Sequence, residues 1–297
     1  MKKYSDSTIG IICAFGAFFM WGIFPIYFKA IDYISPYEVL VHRIFWSFIM
    51  LLIILFFIKG FGKVKDIFLN RKKLIPLFIT SILITSNWLI YIIAVMEAKI
   101  AEASLGYFIN PLVNILLGIV FLKENPNNAE KIAIFIAFIA ILQEAISHGS
   151  VPYISIALAL SFGFYGLIRK KIAVDSFSGL FVETTVVLPF VCAYVLFFIG
   201  FSNLSFLNSS NDMFFLMLAG PITVLPLLLF SAAANRIRLG TIGFIQYLSP
   251  TCTFLLAVLV YNESLDIGRL ITFILIWISL IIVTINSIKN SQRKKDA

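Results

Sequence analysis

Ten stretches of this chain are apolar almost throughout, near 9–30, 38–58, 74–96, 101–122, 131–148, 152–170, 177–200, 213–234, 240–261 and 267–287. A helix rises 1.5 Å per residue, so about 20 apolar residues cross a hydrocarbon core of about 30 Å. Runs of that length, repeated this often, predict a chain whose solvent is lipid. A segment in lipid must satisfy its own backbone polar groups, which predicts helices. Composition agrees: 61% of the 297 residues are hydrophobic and 13% charged, with mean hydropathy +1.00. Soluble domains carry about half apolar and about a quarter charged residues. Lys2 and Lys3 precede the first run, yet no small-residue cleavage site closes it. The run is therefore read as a retained first helix and not as a cleaved signal.

The net charge of +8 would raise the question of nucleic acid in a soluble protein. Here the basic residues sit in short connections and at the tail, with no interleaved aromatics to form a nucleic-acid platform. With the N-terminus inside the cell, the inside segments hold 19 Lys and Arg against three outside, Lys29, Lys99 and Arg269. This bias predicts both termini in the cytoplasm, and an even number of spans agrees.

The two halves also echo each other. A shift of 139 residues places Pro111 on Pro250, Glu124 on Glu263, and Tyr107, Asn110 and Asn114 on Gln246, Ser249 and Thr253. A shift of 141 places His42 on Glu183. Five spans per half is an odd number, so the second half must be inverted. The expected architecture is an all-α membrane protein of ten transmembrane helices in two inverted five-helix repeats, residues 1–148 and 149–297. Such repeats characterise transporters, with the substrate site near the midplane between them.

Polar residues inside spans are costly and tend to face a bundle interior or a cavity. Tyr107, Asn110 and Asn114 share one helical face on the fourth span, and Gln246, Ser249 and Thr253 match them on the ninth. Pro111 and Pro250 each remove a backbone donor, which predicts two kinked helices with polar stripes, and Pro25 adds a third kink. The stripes are either cavity lining or helix-to-helix glue. Asn87 and Trp88, with Tyr91, put an amide beside aromatics, a combination suited to an amphipathic ligand. Tyr247 beside Gln246 completes the expected cavity set.

Four ionisable residues stand out. His42 and Arg43 lie about 10 Å in from the outer end of the second span, at 1.5 Å per residue. A charge at that depth needs a partner, water or an anionic substrate. Glu144 is the nearest candidate acid, so Arg43 is either half of an Arg43–Glu144 pair or a substrate anchor or gate. Glu183, near the inner end of the seventh span, is either a proton-coupling carboxylate or one locked by hydrogen bonds to Thr184 or a neighbouring helix.

Other chemistry is not legible. There is no Gly-rich phosphate loop, so no ATP-driven cycle or ATPase subunit is implied. His42 and His148 do not gather metal ligands, no nucleophile motif occurs, and no cofactor is called for. The chain reads as a non-enzyme. Cys13, Cys192 and Cys252 lie in apolar runs and read as buried small hydrophobes.

The stretches MWGIFPIYFK at 20–29, HRIFWS at 42–47, NW at 87–88, EASLGYFINPLVNILLG at 102–118, YGLIRKKIAV at 165–174, ET at 183–184, AAANRIRLGTIGFIQYLSPT at 232–251 and FLLAVLVYNES at 254–264 carry a resemblance. They resemble the drug/metabolite transporter superfamily, in particular the RarD branch of the EamA-type permeases. The resemblance implies a bacterial inner-membrane permease with a central cavity among spans one to four and six to nine, and spans five and ten at the periphery. It further implies secondary transport of small metabolites or amphipathic drugs. The reading is outward transport of amino-acid-like solutes by alternating access, with protons as a candidate coupling ion. The alternatives are a passive facilitator or exchanger, and a non-transporting membrane sensor or assembly subunit.

Overall fold

A computed structural model describes residues 5–96, 100–147, 153–261 and 267–293. Among these the regular structure is entirely helical. The helices are α1 (Asp6–Ala30), α2 (Pro36–Phe57), α3 (Phe61–Leu69), α4 (Arg71–Met96), α5 (Ile100–Leu122), α6 (Asn128–Ser147), α7 (Tyr153–Ile172), α8 (Ser176–Tyr194), α9 (Ser210–Ala234), α10 (Leu239–Gln246), α11 (Leu248–Leu259) and α12 (Ile267–Arg293). Each apolar stretch read from the sequence is helical. Seven of the spans are long and apolar enough to cross a membrane by that measure, with α10 and α11 counted together.

Two features depart from a plain series of spans. The connection near 59–73 contains α3, a short amphipathic helix that buries Val64 and Ile67 and exposes Lys63 and Lys65. Its charges interrupt the apolar run, which is why hydropathy alone passes over it. The ninth stretch is broken at Tyr247 into α10 and α11. Pro250 has no N–H to offer the carbonyl of Gln246, four residues back, and the break falls at that point. Pro25 and Pro111 lie within α1 and α5, each of which continues through its proline.

Packing is set by close approach. A Cβ on Gly22 would lie 2.5 Å from Cys252 Cβ and 3.0 Å from the Ser249 carbonyl, so only glycine lets α1 meet α11. The main core gathers α1, α2, α4, α7, α8 and α9, with the rings of Phe18, Trp21, Phe162, Tyr165 and Phe230 stacked and edge-on at its centre. A separate cluster of Phe108, Ala137, Ala140, Tyr247 and Phe273 joins α6 and α12 to the bundle. The surface carries Phe15, Phe19, Phe56, Phe57, Phe190, Phe197 and Phe198 exposed, an apolar girdle that suits lipid and not water. Cys192 is part of this exposed surface, and Cys13 and Cys252 are half-buried. The expectation of three buried thiols is corrected accordingly: an apolar run in lipid has two faces, and thiols tolerate either.

Candidate functional site

Arg169 is at the end of α7 that carries Lys170 and Lys171, here called the basic end of the bundle. Its side chain turns inward and is only 1% exposed. The guanidinium Nη1 lies 3.7 Å from Glu183 Oε1 on α8, and Nη2 donates to Ser231 Oγ on α9. Glu183 Oε1 also accepts from Thr80 Oγ1 on α4 at 2.6 Å. The four helices α4, α7, α8 and α9 are thus tied at one buried point. Gly179 makes room for it, since a Cβ there would stand 2.0 Å from Arg169 Nη1. The Tyr165 hydroxyl stands beside the Glu183 carboxylate at the lock.

A second tie at the basic end links the halves. Glu124, just past the end of α5, accepts from Leu239 N at 2.7 Å and Gly240 N at 2.9 Å, capping the exposed amides of α10. Lys123 takes a left-handed backbone (φ 53°), which turns the chain so that Glu124 can reach. Arg238 pairs with Glu130 at 3.3 Å, and Lys170 Nζ donates to the carbonyls of Ala234 and Ile237.

Behind the Arg169–Glu183 lock lies a narrow cavity lined by Ser47, Thr85, Trp88, Tyr165, Glu183 and Thr223 among apolar residues. It has room for water and not for an amino acid. Trp88 and Thr223 connect it to Arg43. The Arg43 guanidinium sits 4.5 Å over the Trp88 ring and 5.9 Å from that of Phe28, and its Nε donates to Thr223 Oγ1 at 3.0 Å. The ionisable groups within its electrostatic reach are Tyr27, Tyr91 and Tyr107. Among the described residues it has no carboxylate partner. Its two Nη groups make no hydrogen bond to them. Tyr107, 47% exposed and with its ring 6.2 Å from that of Tyr91, completes the group of rings here called the aromatic vestibule.

The residues expected from the sequence distribute unevenly over this geometry. Trp88 lines the cavity, Glu183 borders it, and Arg43 and Tyr107 stand in the vestibule. Asn114 Nδ2 instead donates to Gln246 Oε1 at 2.6 Å, where α5 meets α10. Thr253 donates to the Gly22 carbonyl at 3.1 Å. The stripes on α5 and α11 therefore act at these positions as glue. Asn110 is buried beside them with Oδ1 unpartnered. Asn87 bonds the Leu158 carbonyl at 2.8 Å and Ser161 Oγ at 2.9 Å, holding α4 to α7. Tyr247 belongs to the cluster under α6 and α12, away from the cavity.

The anticipated Arg43–Glu144 pair does not form: Glu144 faces α12, where Thr272 donates to its Oε2 at 2.9 Å. Helix α6 packs on α12 and α5, which keeps Glu144 from the aromatic vestibule. His42 is buried against the 201–207 connection, stacked on Phe206 at 5.0 Å, with Glu38 3.7 Å away and Trp46 donating to its Nδ1 at 3.2 Å. It closes that end of α2 and does not face the cavity. His148 and Glu263 lie outside the described residues.

Arg169, Thr80, Tyr165, Ser231 and Thr223 escaped the sequence reading. Arg169 hides in the run Arg169-Lys170-Lys171, which reads as a solvated helix end. The one available signal was Tyr165, a turn earlier on the same face.

Comparison with known proteins adds to this geometry. The family model described as EamA-like transporter family matches the chain twice, over residues 8–143 and 151–285. A protein RarD of Salmonella typhi is 44% identical over 288 residues, covering 96% of this chain and 97% of its own. The uncharacterized transporter YojE of Bacillus subtilis is 39% identical over 99% of both chains. The chloramphenicol-sensitive protein RarD of Pseudomonas aeruginosa is 26% identical over 92% of both. A solved crystal structure superposes with a TM-score of 0.72 at 16% identity, covering 95% of this chain and 98% of that one, and so shares the fold.

Proposed function

Since the chain belongs to the EamA-like transporter family, we propose that it is a secondary transporter of the bacterial inner membrane, with ten spans in two inverted halves and both termini in the cytoplasm. It moves small amphipathic metabolites or drugs outward by alternating access. One observation carries this reading: a central cavity closed at the basic end by the Arg169–Glu183 lock and joined at the other end, through Trp88 and Thr223, to the Arg43 vestibule. Alternating access needs a gate on each side of a shared site, and a buried ion pair across four helices suits an inner gate. On this reading the molecule is closed toward the cytoplasm.

Two modes of driving remain distinct in chemistry. Proton coupling would use Glu183, which lines the cavity. Exchange or facilitated diffusion is favoured by Arg169, which already occupies that carboxylate with a fixed cation. Flux from proteoliposomes loaded with mixed amino acids and chloramphenicol, read by mass spectrometry with and without a pH gradient, separates them. Selective efflux that steepens with the gradient and collapses in Glu183→Gln establishes coupling through Glu183. Selective efflux indifferent to the gradient establishes the facilitator. Folded protein that moves no component of a broadened solute pool refutes the transporter reading.

A further inference from the structure

The charged centres at Arg43 and at Glu183 are built on one plan with a single difference. Glu183 stands on the second spanning helix of its half and bonds Thr80 on the third spanning helix of the other half, at 2.6 Å. Arg43 stands on the second spanning helix of its half and bonds Thr223 on the third spanning helix of the other, at 3.0 Å. The helices that carry them start 140 residues apart, at Pro36 and Ser176, the same interval that separates Arg43 from Glu183. At the basic end a third group arrives from the first helix of the second half, Arg169 of α7, and neutralises Glu183. At the opposite end the first helix of the chain, α1, supplies Phe28 instead, 5.9 Å from the Arg43 guanidinium. The ionic triad is complete on one side. On the other side no described residue supplies the ion of opposite sign.

A cation taken out of water without a counter-ion is strongly disfavoured, and the stacking on Trp88 and the bond to Thr223 offset only part of that cost. The two Nη groups form the planar fork that receives a carboxylate through two parallel bonds, and no hydrogen bond to a described residue occupies them. The walls around them, Trp88, Phe28, Tyr91 and Tyr107, favour a flat apolar body. Among the described carboxylates none is free there to receive an amine: Glu183 is held by Arg169, and Glu144 faces α12. From this we infer that the transported ligand is an amphipathic monoanion, an aromatic or apolar body bearing a carboxylate and no ammonium group. Its carboxylate occupies on Arg43 the place that Glu183 occupies on Arg169. The ligand thereby completes the second triad and closes the outer gate over itself. This names the ligand of the transporter reading above and rests on it for the gating step, whereas the binding step stands alone.

The test is equilibrium binding of radiolabelled 3-phenylpropionate to the full chain in nanodiscs of neutral lipid, with 3-phenylpropanol, phenethylamine and phenylalanine as competitors. The carboxylate is expected to bind saturably, and each competitor to be weaker by about tenfold or more, the factor that corresponds to 1.4 kcal/mol. Arg43→Gln is expected to abolish binding. Arg43→Lys keeps the charge without the fork and is expected to weaken binding by about tenfold, which keeps the test open if the glutamine variant fails to fold. Saturable binding with this ranking supports the inference. Equal competition by phenylalanine or phenethylamine, undiminished binding in a folded Arg43 variant, or no binding to the folded parent chain overturns it. Flux of the same probe in proteoliposomes separates the two readings. Binding without flux refutes transport and leaves the anion site, whereas flux of zwitterions or cations without 3-phenylpropionate binding leaves transport and removes the site.

Discussion

At the scale of single residues the decisive contact is Arg169 with Glu183. Both side chains are almost wholly buried, so removing one leaves the other as an uncompensated charge, a loss of about 3–5 kcal/mol for buried pairs. Arg169→Leu is expected to lower the thermal midpoint of the detergent-purified protein markedly. Arg169→Leu with Glu183→Leu is expected to recover most of that loss, as read by intrinsic fluorescence on heating. Equal destabilisation by the single and double variants would remove the pair from the account. A polar residue inside an apolar run was legible at Arg43 and Glu183, because composition alone marks it. Their partners were not. Arg169 reads as one of three cations at a helix end, and only the three-dimensional approach of Gly179 shows that it turns inward. Glu144 misled for the converse reason: depth in the bilayer can be counted along a sequence, but the helix face that a residue presents to its neighbours cannot.

Among elements, α10 depends on its neighbour. Its first amides point out of the helix, and Glu124 from the other half accepts two of them. Bonds from amides to a charged acceptor contribute about 1.5–3 kcal/mol. Glu124→Ala is expected to destabilise the protein by about that amount and to speed hydrogen exchange at Leu239 and Gly240 selectively, leaving α1 and α9 unchanged. Exchange that rises equally everywhere would assign Glu124 to general stability. The helices themselves were readable from apolar run length, and the break before Pro250 from the missing donor. The polar stripes were readable as stripes. That Asn114 donates to Gln246 depends on α5 lying against α10, a contact between residues 132 positions apart, which periodicity within one helix does not encode.

Across the whole molecule, the proposed orientation follows from where the cations lie. With Cys13, Cys192 and Cys252 replaced by serine, single cysteines at Lys65 on α3 and at Ser209 before α9 test it. A membrane-impermeant maleimide applied to intact cells is expected to label the Ser209 position and to reach the Lys65 position only after permeabilisation. The reverse pattern would invert the topology. At this scale the sequence can be read without knowledge of any contact, because the division between apolar runs and basic connections is a property of the entire chain.

The narrowness of the central cavity bears on the economy of the cell. The cavity has room for little more than water. On the gating proposed above, the ion pair closes the cytoplasmic side in the resting protein and so denies protons and metal ions a wet path. The membrane potential is thereby preserved while the carrier stands idle, and current flows only with cargo.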